Sequence, residues 1–126
     1  MNLLLDTHIA LWAITGSARL PKRALKAIED PSAQAWVSVV SLWEIAIKHS
    51  RRRLAVSAEE AVSVFQDSGF RILSLEPAHT VTLESLPSHH QDPFDRMLVA
   101  QAISEPMRLV TADSVLVQYS QLVFKV

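Results

Sequence analysis

The chain contains no cysteine and carries almost no net charge. The absence of cysteine excludes disulfide bonds, thiolate nucleophiles and Cys-ligated zinc, so any metal site must use oxygen or imidazole ligands. The formal net charge of -1 excludes an overall positive field. Nucleic-acid binding would therefore depend on a local basic patch.

The sequence also lacks an apolar run long enough to cross a bilayer. Its start has neither the basic n-region nor the small-residue cleavage site of a signal peptide. With 126 residues, of which 49% are hydrophobic, the chain can form one packed core but not two ordinary domains. We therefore expect a single domain over residues 1–126, in a cytoplasmic protein with no membrane contact.

Short apolar runs alternate with segments of helical periodicity along the whole chain. The predicted strands are residues 2–5, 35–40, 70–75, 108–111 and 121–126. The predicted helices are residues 7–14, 21–30, 41–49, 57–65, 76–86 and 92–103. Strands separated by helices imply parallel pairing through right-handed crossovers. The predicted fold is therefore α/β, a three-layer α/β/α sandwich around a mainly parallel central sheet.

The segment Ser41-Leu42-Trp43-Glu44 has the pattern of a capping box. In this interpretation Ser41 caps a helix and the Glu44 side chain reaches back to it from the first turn. Trp12, Trp43 and Phe65 lie at core spacing, so we expect them to be buried; an exposed Trp would mark a partner surface.

A strong helix start lies in the stretch from His89 to Ala102. Asp92 can serve as the N-cap and Pro93 as the first helical residue, which puts Asp95 in the first turn. The following residues are apolar on nearly every face, as in a helix buried against a sheet. His89 and His90 precede this helix in a polar loop and are expected to be solvated rather than to act as ligands.

Four acidic residues stand at the ends of predicted strands or at the starts of predicted helices: Asp6 and Asp113 directly follow strands, and Glu44 and Asp95 lie in first helical turns. In open parallel sheets the functional crevice lies at the carboxyl ends of the strands, so all four could meet at one rim. Carboxylates that share a small volume repel each other unless a cation neutralises them. Oxygen ligation without thiolate favours Mg²⁺ or Mn²⁺ over Zn²⁺.

Each of these acids also has a simpler structural interpretation. Asp92 could be only an N-cap, Glu44 only half of a capping box, and Asp113 only the cap of a short helix. Taken singly, these interpretations are the more economical ones. The occurrence of four acids in this order favours a metal site at Asp6, Asp95 and Asp113. Glu44 is a slightly weaker candidate ligand.

Four segments in this order resemble the PIN-domain ribonucleases, and within them the VapC-type toxins of bacterial toxin–antitoxin pairs. They are Leu4–His8, Ser38–Lys48, His90–Ala102 and Leu109–Asp113. Each is weak alone and together they are specific, and the resemblance covers essentially the whole chain. One departure is Arg51-Arg52-Arg53, where similar toxins usually carry a glycine-containing turn.

The resemblance implies a metal-dependent endoribonuclease that hydrolyses RNA with one or two Mg²⁺ or Mn²⁺ ions. It implies a homodimer and a small cognate antitoxin as partner. The implied catalytic and metal-binding residues are Asp6, Glu44, Asp95 and Asp113; the supporting residues are Thr7, Asp92 and Thr111; and the residues assigned to RNA binding are Arg51, Arg52 and Arg53.

A receiver-type phospho-accepting signalling domain is the alternative, since it is also a small α/β sheet with an acidic Mg²⁺ pocket. Thr111 and Lys125 superficially fit its late-strand Thr and terminal Lys. However, residues 71–76 offer no acceptor Asp at the end of the third strand. Only Asp6 follows the first strand, where a receiver needs paired acids.

Overall fold

The computed structural model describes residues 1–126 and contains one five-stranded sheet in which every pairing is parallel. The strands are β1 (Asn2–Leu5), β2 (Gln34–Ser38), β3 (Arg71–Leu73), β4 (Arg108–Thr111) and β5 (Val123–Lys125). Their order across the sheet is β3-β2-β1-β4-β5, with β1 in the centre. The prediction of a parallel central sheet is confirmed.

Helices connect the strands and cover both faces of the sheet. They are α1 (Thr7–Thr15), α2 (Lys22–Glu29), α3 (Val39–Ser50), α4 (Ala58–Asp67), α5 (Pro77–Glu84), α6 (Pro93–Ser104) and a 3₁₀ helix (Ser114–Tyr119). None of them is long and apolar enough to cross a membrane.

Two hydrophobic clusters lie on opposite faces of the sheet. Leu3 and Leu5 of β1 face the cluster that includes α1, α2 and α4, whereas Leu4 faces the cluster built on α6 and the 3₁₀ helix. Successive side chains of a strand point to opposite faces, so a strand buried on both sides is apolar throughout. The three-layer prediction is therefore confirmed.

The strand register places the carboxyl ends of three neighbouring strands, β1, β2 and β4, at one edge of the sheet. Leu5 pairs with Val37 of β2 and with Val110 of β4. The residues that follow these partners, Asp6, Ser38 and Thr111, therefore lie side by side. Parallel pairing is what makes this edge a common rim, because all carboxyl ends point the same way.

The prediction that Ser41 caps the third helix is wrong. Strand β2 ends at Ser38, whose hydroxyl accepts the Val40 N–H at 2.9 Å and caps α3 three residues earlier. Both serines have the chemistry of an N-cap, and the apolar residues between them fit a strand or a helix equally well. Glu44 consequently lies in the second turn of α3 rather than the first.

The prediction that Trp43 is buried is also wrong. Helix α3 buries Val40, Ser41, Glu44 and Ile45, which share one face, and leaves Trp43 57% exposed on the other side. Phe65 is fully buried as expected, and Trp12 is half-buried.

Candidate metal centre

Asp6 lies at the carboxyl end of the central strand and caps α1. Its Oδ1 accepts the Ile9 N–H at 2.9 Å, and its Oδ2 accepts the Thr111 hydroxyl. The side chain is 7% exposed. Asp6 is thus held rigidly from both sides, and the β1–β4 pairing fixes the position of its carboxylate.

Glu44 is buried beside the start of α1. Its Oε1 accepts a hydrogen bond from the Thr7 hydroxyl at 2.8 Å, and its Oε2 forms an ion pair with Lys48 Nζ at 2.6 Å, one helical turn away. The Thr7 hydroxyl also lies 2.8 Å from Ser41 Oγ. The predicted supporting residue Thr7 therefore orients Glu44, and Lys48 is a partner that the sequence analysis did not identify.

Asp92 and Asp95 lie in the same first turn but make different contacts. Asp92 caps α6, since its Oδ1 accepts the N–H groups of Phe94 and Asp95 at 2.8 and 3.2 Å. The predicted N-cap is confirmed. Asp95 accepts no hydrogen bond from the helix start, so its carboxylate is free to face the rim.

Asp113 follows β4 and caps the 3₁₀ helix through the Val115 N–H at 2.9 Å. Its own N–H donates to Thr111 Oγ1 at 3.1 Å. Because that same hydroxyl donates to Asp6, Thr111 connects the two carboxylate-bearing turns. The cap interpretation of Asp113 holds, and its second oxygen still faces the cluster.

His90 belongs to this cluster, and the expectation that it is solvated is wrong. Its Nδ1 accepts the Asp92 N–H at 3.0 Å, so the ring proton lies on Nε2 and is donated to Asp113 Oδ2 at 2.9 Å. Asp95 Oδ2 lies 3.7 Å from the same nitrogen. The signal that could have identified it is the spacing His-x-Asp, which lets the ring accept the cap residue's N–H. His89 is exposed and contacts Tyr119 by its ring edge.

The electrostatics show that the acids share one environment. Burial, followed by the negative charges of Asp92, Asp6 and Glu44, raises the pKa of Asp95 to about 7. Burial also raises the pKa of Asp6, against the lowering effect of its hydrogen bonds to Thr111 and Ile9. Asp6 and Asp95 therefore resist ionisation, and a cation bound between them would offset this resistance.

The donor set fits a hard divalent cation. One ligand atom from each of His90, Asp95 and Asp113 lies within 4.8 Å of the other two. Asp6 and Glu44 add two buried carboxylates that raise the pKa of Asp95 through space. Carboxylate oxygens dominate this set, as Mg²⁺ and Mn²⁺ sites require, and a bound cation would offset the repulsion.

Arg51, Arg52 and Arg53 lie apart from the acids, on the exposed turn that follows α3. Arg52 has φ 58°, a left-handed conformation that favours glycine. The turn thus takes the shape that a glycine would give it, although arginine stands there. The structure does not bring these arginines into the acidic cluster.

Comparison with known proteins agrees with this geometry. The PIN domain family model matches residues 3–122. Ribonuclease VapC22 of Mycobacterium tuberculosis is 33% identical over 115 residues, which cover 89% of this chain and 87% of that protein.

Solved structures show the same fold at lower identity. VapBC2 from Rickettsia felis, solved bound to a DNA fragment of its promoter, has a TM-score of 0.71 and 19% identity, covering 94% of this chain and 93% of that one. Mycobacterium tuberculosis VapC20, a sarcin-ricin loop cleaving toxin, has a TM-score of 0.64 and 17% identity, covering 94% and 97%. None of these comparisons supports the receiver alternative. The chain belongs to the PIN-domain family and, within it, to the VapC ribonucleases.

Proposed function

We propose that this ribonuclease hydrolyses RNA phosphodiester bonds with Mg²⁺ or Mn²⁺ held by Asp6, Glu44, Asp95 and Asp113. The observation that carries the proposal is the convergence of acids from four separate segments on one rim, where burial and mutual repulsion raise the pKa of Asp95 to about 7. A divalent cation there supplies Lewis acidity, which lowers the pKa of water and offsets negative charge on the phosphate.

The chain's own residues hold the carboxylates in place before any ligand arrives. Thr111 and the Ile9 N–H fix Asp6, Thr7 and Lys48 fix Glu44, and the Val115 N–H fixes Asp113. Such prior fixing reduces the reorganisation that catalysis would otherwise need. Asp92 supports the site by capping α6, which sets the position of Asp95.

The test is cleavage of a labelled RNA by purified protein with Mg²⁺, with Mn²⁺ and with excess EDTA. We expect cleavage only with metal, and loss of activity by orders of magnitude in Asp6→Asn. Asp67→Asn is the matched control, since Asp67 is exposed at the end of α4 and far along the chain from any site residue. Full activity in EDTA would overturn the proposal.

We further propose that Arg51, Arg52 and Arg53 strengthen RNA binding without taking part in the chemical step. All three are exposed and none forms an ion pair, so their charges are available to phosphates. Replacing all three by Gln should flatten the salt dependence of RNA binding. A collapse of single-turnover cleavage at saturating RNA would show instead that they act in catalysis.

We propose a cognate antitoxin as the protein partner. Structural neighbours include a toxin–antitoxin complex from Klebsiella pneumoniae and DNA-bound VapBC from Salmonella typhimurium. In this proposal the antitoxin's tail covers the acidic rim while its DNA-binding part controls transcription, and the pair acts in the cytoplasm. The complex purified with its antitoxin should therefore not cleave RNA. An antitoxin complex with undiminished cleavage would contradict this.

We propose a homodimer that uses the surface around Trp43. The exposed Trp43 ring packs edge-to-face against the Phe94 ring, with 5.0 Å between the ring centres. Trp43 directly precedes Glu44 in the sequence, and Phe94 directly precedes Asp95. Trp43→Glu should give a monomer in sedimentation, because dimerisation would bury the new charge. Val81→Glu on α5 is the control, since Val81 is an exposed apolar residue on a different helix. A monomeric wild-type protein at micromolar concentration would refute the dimer.

A further inference from the structure

A basic cavity lies at the end of the sheet opposite the acidic rim. It has a volume of about 360 Å³ and lies between α2 and the amino ends of β1 and β4. Arg23, Lys26 and Arg108 line it, with Leu3 and Phe124 among its apolar residues. We propose that this cavity binds a segment of single-stranded RNA substrate outside the cleaved bond, an inference that rests on the proposed action on RNA.

The charge of the cavity is unbalanced. Arg23, Lys26 and Arg108 form no ion pair. Asp30 is the one carboxylate in the lining, and both the N–H and the hydroxyl of Ser32 donate to its Oδ1 at 2.8 Å. Three cationic side chains therefore face one engaged carboxylate. In a chain of net charge -1, this is a local basic patch of the kind that phosphate binding requires.

Two guanidinium groups of the cavity are held against one aromatic ring. Arg108 lies 4.3 Å and Arg23 lies 5.0 Å from the centre of the Phe124 ring. This arrangement keeps planar groups in place at the cavity wall, and nucleic-acid bases stack on guanidinium planes. An acidic peptide would use the charges but not these planar faces, so the arrangement favours a nucleotide over a peptide.

The cavity lies within reach of the proposed cleavage site. Arg108 begins β4 and Thr111 ends it, so the two are separated by about 10 Å at the usual rise of a strand. The exposed Lys125 on the edge strand β5 is in register with Thr111, next to Phe124. Phe124 faces the cavity side of the sheet, so Lys125 points to the other face. A chain that leaves the cavity around the edge strand β5 would therefore meet Lys125 on its way to the acidic rim.

The test measures binding of a labelled single-stranded 2′-O-methyl RNA by fluorescence anisotropy, in EDTA and over a range of salt. Arg23→Gln with Arg108→Gln should weaken binding about tenfold and reduce the salt slope by about 1.4, from two lost phosphate contacts. The control is Arg19→Gln with Arg71→Gln, which removes the same charge outside the cavity; Arg71 stacks on Trp36 in a similar way. We expect less than a twofold change there.

A second pair of variants, each with one substitution at an exposed lysine, tests the same cavity with little risk to folding. Lys26 and Lys22 are exposed lysines of α2, and only Lys26 lines the cavity. Lys26→Gln should weaken RNA binding more than Lys22→Gln does. Equal losses within either pair would overturn the proposal, because general electrostatics would then explain them.

Two further outcomes separate this inference from its alternatives. Binding of a labelled poly-glutamate peptide that is lost to the same extent in the cavity variant would assign the cavity to acidic peptides and overturn the RNA proposal. Because binding is measured in EDTA, a failure of metal-dependent cleavage would refute the proposed function while leaving the binding result intact.

Discussion

Asp92 and Asp95 lie three residues apart, yet one supports a helix and the other faces the rim. Asn caps a helix about as well as Asp, so Asp92→Asn should change the free energy of unfolding by only about a few tenths of a kcal/mol and keep most activity. Asp95→Asn should reduce cleavage by orders of magnitude, because in the proposed site it removes a negatively charged ligand of the metal. Parallel melting curves and cleavage assays decide this. Equal loss of activity in both variants would mean that Asp92 also contacts the metal.

The raised pKa of Asp95 predicts how the metal-free protein responds to pH. An aspartate in the unfolded chain has a pKa of about 3.9, whereas Asp95 in the fold has a pKa of about 7. The folded state therefore holds this proton more tightly, and the stability it provides is fully present below about pH 4 and is lost as pH rises to about 7.

Melting temperatures measured in EDTA from pH 4 to 8 test this linkage. We expect a steeper fall in the wild type than in Asp95→Asn, which has no group to ionise at this position. Some fall should remain in the variant, since burial also raises the pKa of Asp6. Parallel profiles for the two proteins would contradict the prediction.

At the residue scale, the sequence was sufficient where an acid directly follows a strand or opens a helix. Asp6, Asp95 and Asp113 could be positioned in this way because chain direction alone brings them to one edge. Glu44 is predicted in the first turn of the helix after the second strand, but α3 begins at Val39 and places Glu44 in its second turn. His90 was missed because its position depends on a loop that folds back onto the rim, which periodicity does not encode.

At the scale of the helix, the buried cap Ser38 does more than an ordinary N-cap. Its hydroxyl caps α3 and also donates to Gln101 Oε1 inside α6, so one oxygen connects two helices. Ser38→Ala should cost about 1–3 kcal/mol, because a buried amide oxygen loses its donor in addition to the cap. Ser57→Ala is the matched control, since Ser57 caps α4 near the surface and should cost about 1 kcal/mol. Equal costs in urea unfolding would contradict the buried network.

In the turn after α3, a substitution should stabilise the fold rather than destabilise it. Arg52 holds φ 58°, which strains any residue with a Cβ atom. Arg52→Gly should therefore raise the free energy of unfolding by about 0.5–1 kcal/mol. Arg51→Gly, at φ -95°, relieves no such strain and should be neutral or destabilising. Chemical denaturation of both variants tests this, and a less stable Arg52→Gly protein would refute it.

Element boundaries were predicted less well than element types. The existence of the strands followed from apolar runs, but β2 ends at Ser38 and β3 spans only Arg71–Leu73. A run such as Val39–Val40 suits a strand or a buried helix, and only the tertiary contacts of Ser38 decide between them. The same ambiguity misplaced Trp43, because its orientation depends on where α3 begins.

At the scale of the whole molecule, metal binding should stabilise the entire fold. If Mg²⁺ binds the folded state alone, a concentration of 100 times its Kd adds about 2.7 kcal/mol to the free energy of unfolding. Melting with increasing Mg²⁺ should raise the Tm of the wild type and of Asp67→Asn, but not that of Asp95→Asn. The effect should weaken at acid pH, where protons compete for the carboxylates. An equal rise in Asp95→Asn would indicate binding elsewhere.

The overall architecture was the most predictable level. Alternation of apolar strands and helices admits few topologies once right-handed crossovers are required, and the parallel order β3-β2-β1-β4-β5 is one of them. The basic cavity was not predictable, since Arg23 and Arg108 are 85 positions apart and meet only through Phe124. Long-range convergence of this kind depends on packing.

Both outer strands of the sheet, β3 and β5, are only three residues long, and each carries an exposed cation, Arg71 and Lys125. Short, charged outer strands resist backbone pairing with another molecule. The protein should therefore accumulate to high concentration without growing into cross-β fibrils. Two copies of the protein should then associate through side-chain contacts, and such association is reversible.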